Sequence, residues 1–206
     1  RVREAENVVV IGAGFIGLEF AGVAAALGAR VHVLELGDRP MARALSHTTS
    51  QRFREAHEGW GVTFDFEQGL QRIEGEDGQV RRVITADGRA IDADLVVYGI
   101  GVIPNTALAE AAGLTIENGI RVDAQLQTED PFISAVGDAV NFPCVQLDSA
   151  PTRLESVQNA ADQARCLAAR LTGTSAPYVA TPWFWSDQGD LKLQIVGMSN
   201  GYNNTV

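Results

Sequence analysis

Hydrophobic positions in the first third of the chain alternate between two periods. In "NVVVIGAGFIGLEFAGVAAALGARVHVLEL" the run 8–11 is continuously apolar, as in a parallel strand buried on both faces. A glycine-rich turn follows. Residues 15–27, rich in Ala and Leu, predict a helix that Gly28 closes. Residues 30–34 predict a second parallel strand and 48–58 a second helix. Then the period shortens. Residues 62–66, 70–74, 79–85 and 90–92 read as short strands, with Asp77-Gly78 and Asp87-Gly88 as turns, because both residue types tolerate the positive φ of a tight hairpin. The expected result is an antiparallel meander inserted into a parallel sheet. "ADLVVYGIG" returns as a buried strand ending in glycines, and Pro104 and Asn105 lead into a short helix at 106–112.

From Gly119 the pattern changes. Short strands are expected at 120–122 and at 133–136, the second being the apolar run of "ISAVGDAV", which stops at Gly137-Asp138. A helix at 155–171 carries Ala160, Ala161, Ala164, Leu167, Ala168 and Leu171 along one face. After Pro182, "WFWSDQGDLKLQIVGMSNGY" opens another strand-rich stretch. Three segments are expected: 1–118, 119–178 and 179–206. The first holds a parallel sheet, a crossover helix and the meander, enough to bury a core by itself. The second would leave a strand edge and a helix face uncovered.

Composition adds exclusions. The 206 residues are 46% hydrophobic and 7% aromatic, with a net charge of -10 and a pI near 4.7. No basic stripe is present to neutralise phosphates, so nucleic acid is not an expected partner. The two cysteines, Cys144 and Cys166, form no C-x-x-C pair and read as thiols of a reducing compartment, the cytoplasm. His32, His47 and His57 have no ligand spacing, so no metal site is expected. No run suits a membrane span or a signal peptide. The opening at Arg1 and the close inside a strand-rich stretch lead us to expect a piece of a longer protein.

The chemistry starts at the turn. Gly12, Gly14 and Gly17 form G-x-G-x-x-G after a strand and before a helix, and Glu35 ends the next strand. In that context Gly12 permits the tight turn, Gly14 lets a pyrophosphate approach the backbone, and Gly17 packs helix on strand. The helix N-terminus stabilises the anion. Glu35 suits the hydroxyls of an adenine ribose and repels a 2′-phosphate, which favours NAD(H) over NADP(H). Arg39 and Arg43 could reach such a phosphate, and the adenosine half of FAD uses the same kind of turn. Glu19 interrupts the apolar helix; either it faces the nicotinamide side of the crevice or it lies on the wet face.

Taken together, "VVVIGAGFIGLEFA", "DLVVYGIGVIPN", "ISAVGD" and "PWFWSDQ" resemble, in order and spacing, the FAD-dependent NADH:ferredoxin reductases of bacterial oxygenase systems. The resemblance covers almost the whole chain, and "PWFWSDQ" is its most specific motif. It implies a Rossmann-like α/β NADH domain (1–118), the second half of a Rossmann-like FAD domain (119–178) and the start of an α+β C-terminal interface domain (179–206). It implies an NADH site at Gly12, Gly14, Phe15, Ile16, Gly17, Glu19, Glu35 and Arg43, bordered by Gly99, Ile100 and Gly101. Toward FAD it implies Gly137 and Asp138 at the ribityl chain, Glu155 and Val157 at the pyrimidine edge, and Trp185 beside the isoalloxazine. No side chain acts as a catalytic acid, base or nucleophile. The family's separate FAD glycine turn is missing from this sequence, so only half of the FAD site is expected here. The implied activity is hydride transfer from NADH to FAD, then single electrons to an iron–sulfur ferredoxin. An NADH oxidase, a nitrite-reductase-type flavodomain and a non-enzymatic nucleotide-dependent interaction module are the alternatives, and the oligomeric state stays open between monomer and homodimer.

Overall fold

The computed structural model describes residues 1–198. The last eight positions of the expected C-terminal segment therefore lie outside the described residues. The chain divides into two compact units. One comprises Arg1–Gly101 together with Ser186–Leu193; the other comprises Val102–Trp185 together with 194–198.

The first unit is built on a parallel sheet of order β3-β2-β1-β7, formed by Asn7–Ile11 (β1), Arg30–Leu34 (β2), Thr63–Asp65 (β3) and Leu95–Tyr98 (β7). Val8, Val9 and Val10 of the central strand are all at most 1% exposed, which explains their unbroken apolar run: both faces are covered. One face packs Val9, Ile11 and Leu34 against Val83 and Ala93. These belong to, or directly follow, an antiparallel meander of Leu70–Glu76 (β4), Gln79–Thr85 (β5) and Ala90–Asp92 (β6). Helix α1 (Phe15–Ala26) packs on β1 and β2. Gly28 follows its C-terminus at φ +91°, the left-handed position that glycine fills without strain. Helix α2 (His47–Gly59) is capped by Ser46, which accepts a hydrogen bond from Thr49 N.

Residues 62–66 do not join the meander. Their strand, β3, pairs parallel with β2, His32 opposite Thr63 and Leu34 opposite Asp65. Alternation of apolar and polar positions identifies a strand but not its neighbour, and here the preceding helix α2 is the crossover that a parallel pairing needs.

The second unit holds a three-stranded sheet of order β10-β9-β8, formed by Ile120–Arg121 (β8), Val140–Cys144 (β9) and Ala150–Thr152 (β10). A short helix, Ala107–Ala111 (α3), precedes it. Helix α4 runs over Val157–Leu171 with Ser156 as its cap, accepting from Asn159 N. One expectation fails here. Residues 133–136 form no strand: their one ladder contact is an isolated bridge from Ser134 to Gln127, and a strand exists only where its N–H and C=O groups find a ladder. The strand is the next stretch, β9. Much of the α4 Ala/Leu face stays uncovered, as expected, although Leu167 packs against the core of the unit. Ala164, Ala168 and Leu171 are exposed, while Asn159 and Gln163 are buried because each has backbone to hold: Asn159 Nδ2 donates to Leu154 O and Gln163 Oε1 accepts from Gly137 N. The unit also encloses a core of its own, Val122, Leu126, Val140, Phe142, Cys144 and Tyr178, more than the sequence led us to expect beyond Gly119.

The remaining hairpin is Trp183–Gln188 (β11) with Leu191–Val196 (β12). Among the described residues no helix is long and apolar enough to cross a membrane.

Candidate cofactor site

The glycine turn is closed backbone on backbone. Gly12 has φ +98°, and its N–H donates to Leu34 O at 2.7 Å. A Cβ added to Gly12 would lie 2.6 Å from Gly99 O; one on Gly17 would lie 2.2 Å from Gly12 O; one on Gly99 would lie 2.9 Å from Gly17 N. Gly12, Gly17 and Gly99 thus interlock where the end of β7 crosses the start of α1. Gly14 differs. It caps α1 in an extended conformation, and an added Cβ would meet nothing nearer than Gly99 O at 3.5 Å, an ordinary contact. The protein itself does not require glycine there, whereas a pyrophosphate lying on the helix N-terminus would. The first turn of α1 carries no acidic side chain to oppose an anion. The residues present therefore fit a dinucleotide.

Phe15 and Ile16 begin α1 just beyond, with Ile16 65% exposed. Glu35 is joined directly to the turn: Oε2 accepts from Ala13 N at 2.6 Å and Oε1 from Gly37 N at 2.7 Å. Its carboxylate is thereby held against the glycine turn. Arg43 is exposed. Arg39 is turned onto its own loop, pairing with Asp38 and donating to Ala42 O. After β7 the chain passes through Gly99, exposed Ile100 and Gly101 at φ +101°.

Glu19 does not stand on a wet face. Its Oε1 accepts from Ser186 Oγ at 2.6 Å. Gln188 Nε2 donates to Ser186 Oγ at 3.0 Å, and Gln188 Oε1 meets His57 Nε2 at 2.9 Å. Ser186, Gln188 and His57 are at most 1% exposed. Beside them Gly189, at φ +59°, sits against Trp60, and a Cβ added to Gly22 of α1 would lie within 4 Å of Gly189, His57 and Trp60. All belong to the first unit. Ser186, Gln188 and His57 did not stand out as site residues in the sequence. The available signal was the alternation of "WSDQ", which sends 186 and 188 to one face of a strand.

The residues assigned toward FAD lie in the second unit. Gly137, at φ +91°, is held onto α4 by Gln163 at 2.7 Å. Asp138 is exposed, and its main-chain oxygen accepts from Arg153 Nη1 at 3.1 Å. The same Arg153 nitrogen pairs with Glu155 at 2.5 Å. Val157 opens α4 and is 69% exposed. Trp185 packs on Trp183 with ring centroids 5.1 Å apart. An exposed acid after a glycine turn, a helix start free of acidic residues and a tryptophan pair suit a polar ribityl chain and a flat ring. Both cysteines are unpaired, Cys144 buried and Cys166 partly so. Among the described residues no group of three or more His, Cys, Asp or Glu could hold a metal ion.

Comparison with known proteins gives this geometry its context. The family model described as pyridine nucleotide-disulphide oxidoreductase matches residues 1–164, and a reductase C-terminal model matches 183–206. The chain is 51% identical to rhodocoxin reductase of Rhodococcus erythropolis, over 97% of this chain and 47% of that protein. It is 41% identical to putidaredoxin reductase of Pseudomonas putida, over 97% and 48%. Among solved structures, the ferredoxin reductase for the CYP199A2 system of Rhodopseudomonas palustris superposes with a TM-score of 0.95 at 51% identity, over 99% of this chain and 50% of that one. The reductase in a covalent putidaredoxin reductase–putidaredoxin complex superposes with a TM-score of 0.91 at 41% identity, over 97% and 48%. The chain thus spans about half the length of the relatives it matches. With a glycine turn interlocked with Gly99, an acid seated on that turn and a family match over most of its length, the chain belongs to the pyridine nucleotide-disulphide oxidoreductase family.

Proposed function

We propose that the protein is an NADH-dependent ferredoxin reductase that passes single electrons to a small iron–sulfur ferredoxin serving an oxygenase, in the cytoplasm. The observation that carries this reading is Glu35 seated on the glycine turn through Ala13 N, in a chain similar throughout to reductases named for their redoxin partners. Residues 1–118 serve as the NADH-binding domain, 119–178 contribute half of an FAD site, and 179–206 begin the interface domain.

The chain's own residues bind and orient. The α1 N-terminus holds the pyrophosphate through N–H groups and dipole. Glu35 selects a ribose with free hydroxyls, and Gly99–Gly101 admit the nicotinamide close to the backbone. Asp138 accepts from the ribityl hydroxyls, and Trp185 with Trp183 shields the ring from water. FAD, when bound, supplies the conversion of a hydride into single electrons. The two thiols have no adjacent partner in sequence and sit apart from any C-x-x-C relay, so electrons leave for an external carrier.

The test mixes full-length protein, NADH, a small iron–sulfur ferredoxin and cytochrome c. Cytochrome reduction that requires the ferredoxin is the expected result. Equal reduction without it, or NADH consumption that goes only to oxygen, would overturn the proposal.

A further inference from the structure

We propose that Ser186 and Gln188 are positioning residues for Glu19: with His57 they form a one-way hydrogen-bonded relay that fixes one carboxylate oxygen of Glu19 and leaves the other for the nicotinamide end of the cofactor. The inference rests on the NADH reading above and on the reading of Glu19 as facing the nicotinamide side.

The direction of the relay follows from its last member. A carboxylate oxygen only accepts, so the 2.6 Å contact between Glu19 Oε1 and Ser186 Oγ is donated by serine. That uses the one hydroxyl proton. Gln188 Nε2 must then donate to Ser186 Oγ, which sets the amide's orientation and turns Oε1 toward His57. The second Nε2 proton points at Met41 Sδ, 3.5 Å away. An amide oxygen only accepts, so His57 donates from Nε2. A neutral imidazole then has a bare Nδ1, and that atom is buried without a hydrogen-bond partner among the described residues. Burial pushes the His57 pKa below its ordinary value, in keeping with the neutral ring. The donors therefore all point one way, from a ring at the back of α2 to an acid on α1.

Packing alone does not call for this arrangement. The hairpin tip is already seated by Gly189 on Trp60, and a row of buried polar groups is stabilising only when every member is satisfied. An apolar face at 186 and 188 would hold the hairpin as well. What the polar row adds is a fixed orientation for Glu19, one turn along the helix from the glycine turn.

The experiment measures dissociation constants of NADH and of ADP-ribose, which lacks the nicotinamide, for the full-length flavin-loaded protein and its variants. Ser186→Ala should weaken NADH about tenfold, the effect of one hydrogen bond to a charged group, and leave ADP-ribose unchanged. Ser186→Thr, which keeps the hydroxyl, should restore NADH binding. Equal weakening of both ligands by Ser186→Ala would mean a purely structural role and overturn the proposal. If Ser186→Ala changes neither ligand while Glu19→Ala still weakens NADH selectively, the relay is wrong and the reading of Glu19 stands. If Glu19→Ala spares NADH, that reading falls and the relay with it. Should Ser186→Ala fail to fold, nitrogen-15 NMR of the native protein decides: His57 as the Nε2–H tautomer is expected, and Nδ1–H overturns the direction of the relay.

Discussion

Glu35 accepts from two backbone N–H groups at once, on Ala13 and on Gly37, so its charge cannot swing away from an incoming ligand. A 2′-phosphate would have to displace one of these bonds or lie beside a fixed negative charge. We expect NADH to bind well and NADPH poorly, and Glu35→Gln to narrow the difference by about 1–3 kcal/mol, the scale of a hydrogen bond to a charged group. Dissociation constants for both nucleotides check this, and equal values for the native protein would refute it. The same residue shows what the sequence conveys at this scale. The acid at the strand end was legible; its two bonds to the turn were not, because they depend on how β2 and the turn approach in space. Gly12, Gly14 and Gly17 were likewise legible as a set, but only the structure separates the two whose missing side chain the backbone itself requires from the one that leaves room for a ligand.

Among elements, those that bury themselves were easiest to read. β1, β2 and α1 follow from continuous apolar runs and a glycine stop. Elements defined by a neighbour were harder: 62–66 proved parallel rather than part of the meander, 133–136 found only an isolated bridge, and the amides that α4 turns inward, Asn159 and Gln163, did not stand out. A polar residue that bonds backbone looks the same in sequence as one that faces water. His57 is the case with a measurable consequence. Its pKa is lowered chiefly by burial, so between that value and the unfolded value of about 6.5 the unfolded chain binds more protons. Its contribution is therefore complete above about pH 6.5 and declines as pH falls through that window. Urea midpoints should drop between pH 7.5 and 5.5, and His57→Gln should flatten the curve there. A midpoint that stays level for the native protein would contradict the assignment. Exposed Asp87, held down to about 2 chiefly by Thr85 and then by Arg89, acts in a separate acidic range: its contribution is present above pH 3.8 and lost as pH falls through about 2.

Within these 206 residues, the groups proposed for the two cofactors are unequal. The sequence contains one G-x-G-x-x-G turn, and it lies in the first unit with Glu35. The second unit offers Asp138, the start of α4 and the tryptophans, but no such turn for a second pyrophosphate. We expect the 206-residue chain expressed by itself to bind NADH and to purify colourless, and stoichiometric flavin in its absorption spectrum would refute this.

The tip of the β11–β12 hairpin, residues 186–193, has a further meaning for the order of events during synthesis. Ser186 meets Glu19 across 167 positions and Gln188 meets His57 across 131. Contacts so distant in sequence carry a large loop-closure cost and form late. As the chain leaves the ribosome, the parallel sheet can assemble early, yet Trp60, Gly22 and the buried imidazole stay uncovered until residues 186–193 arrive. For that interval a nascent chain presents an apolar face with an unsatisfied polar centre. A pause in translation before Ser186 therefore prolongs the state most open to aggregation and to chaperone capture.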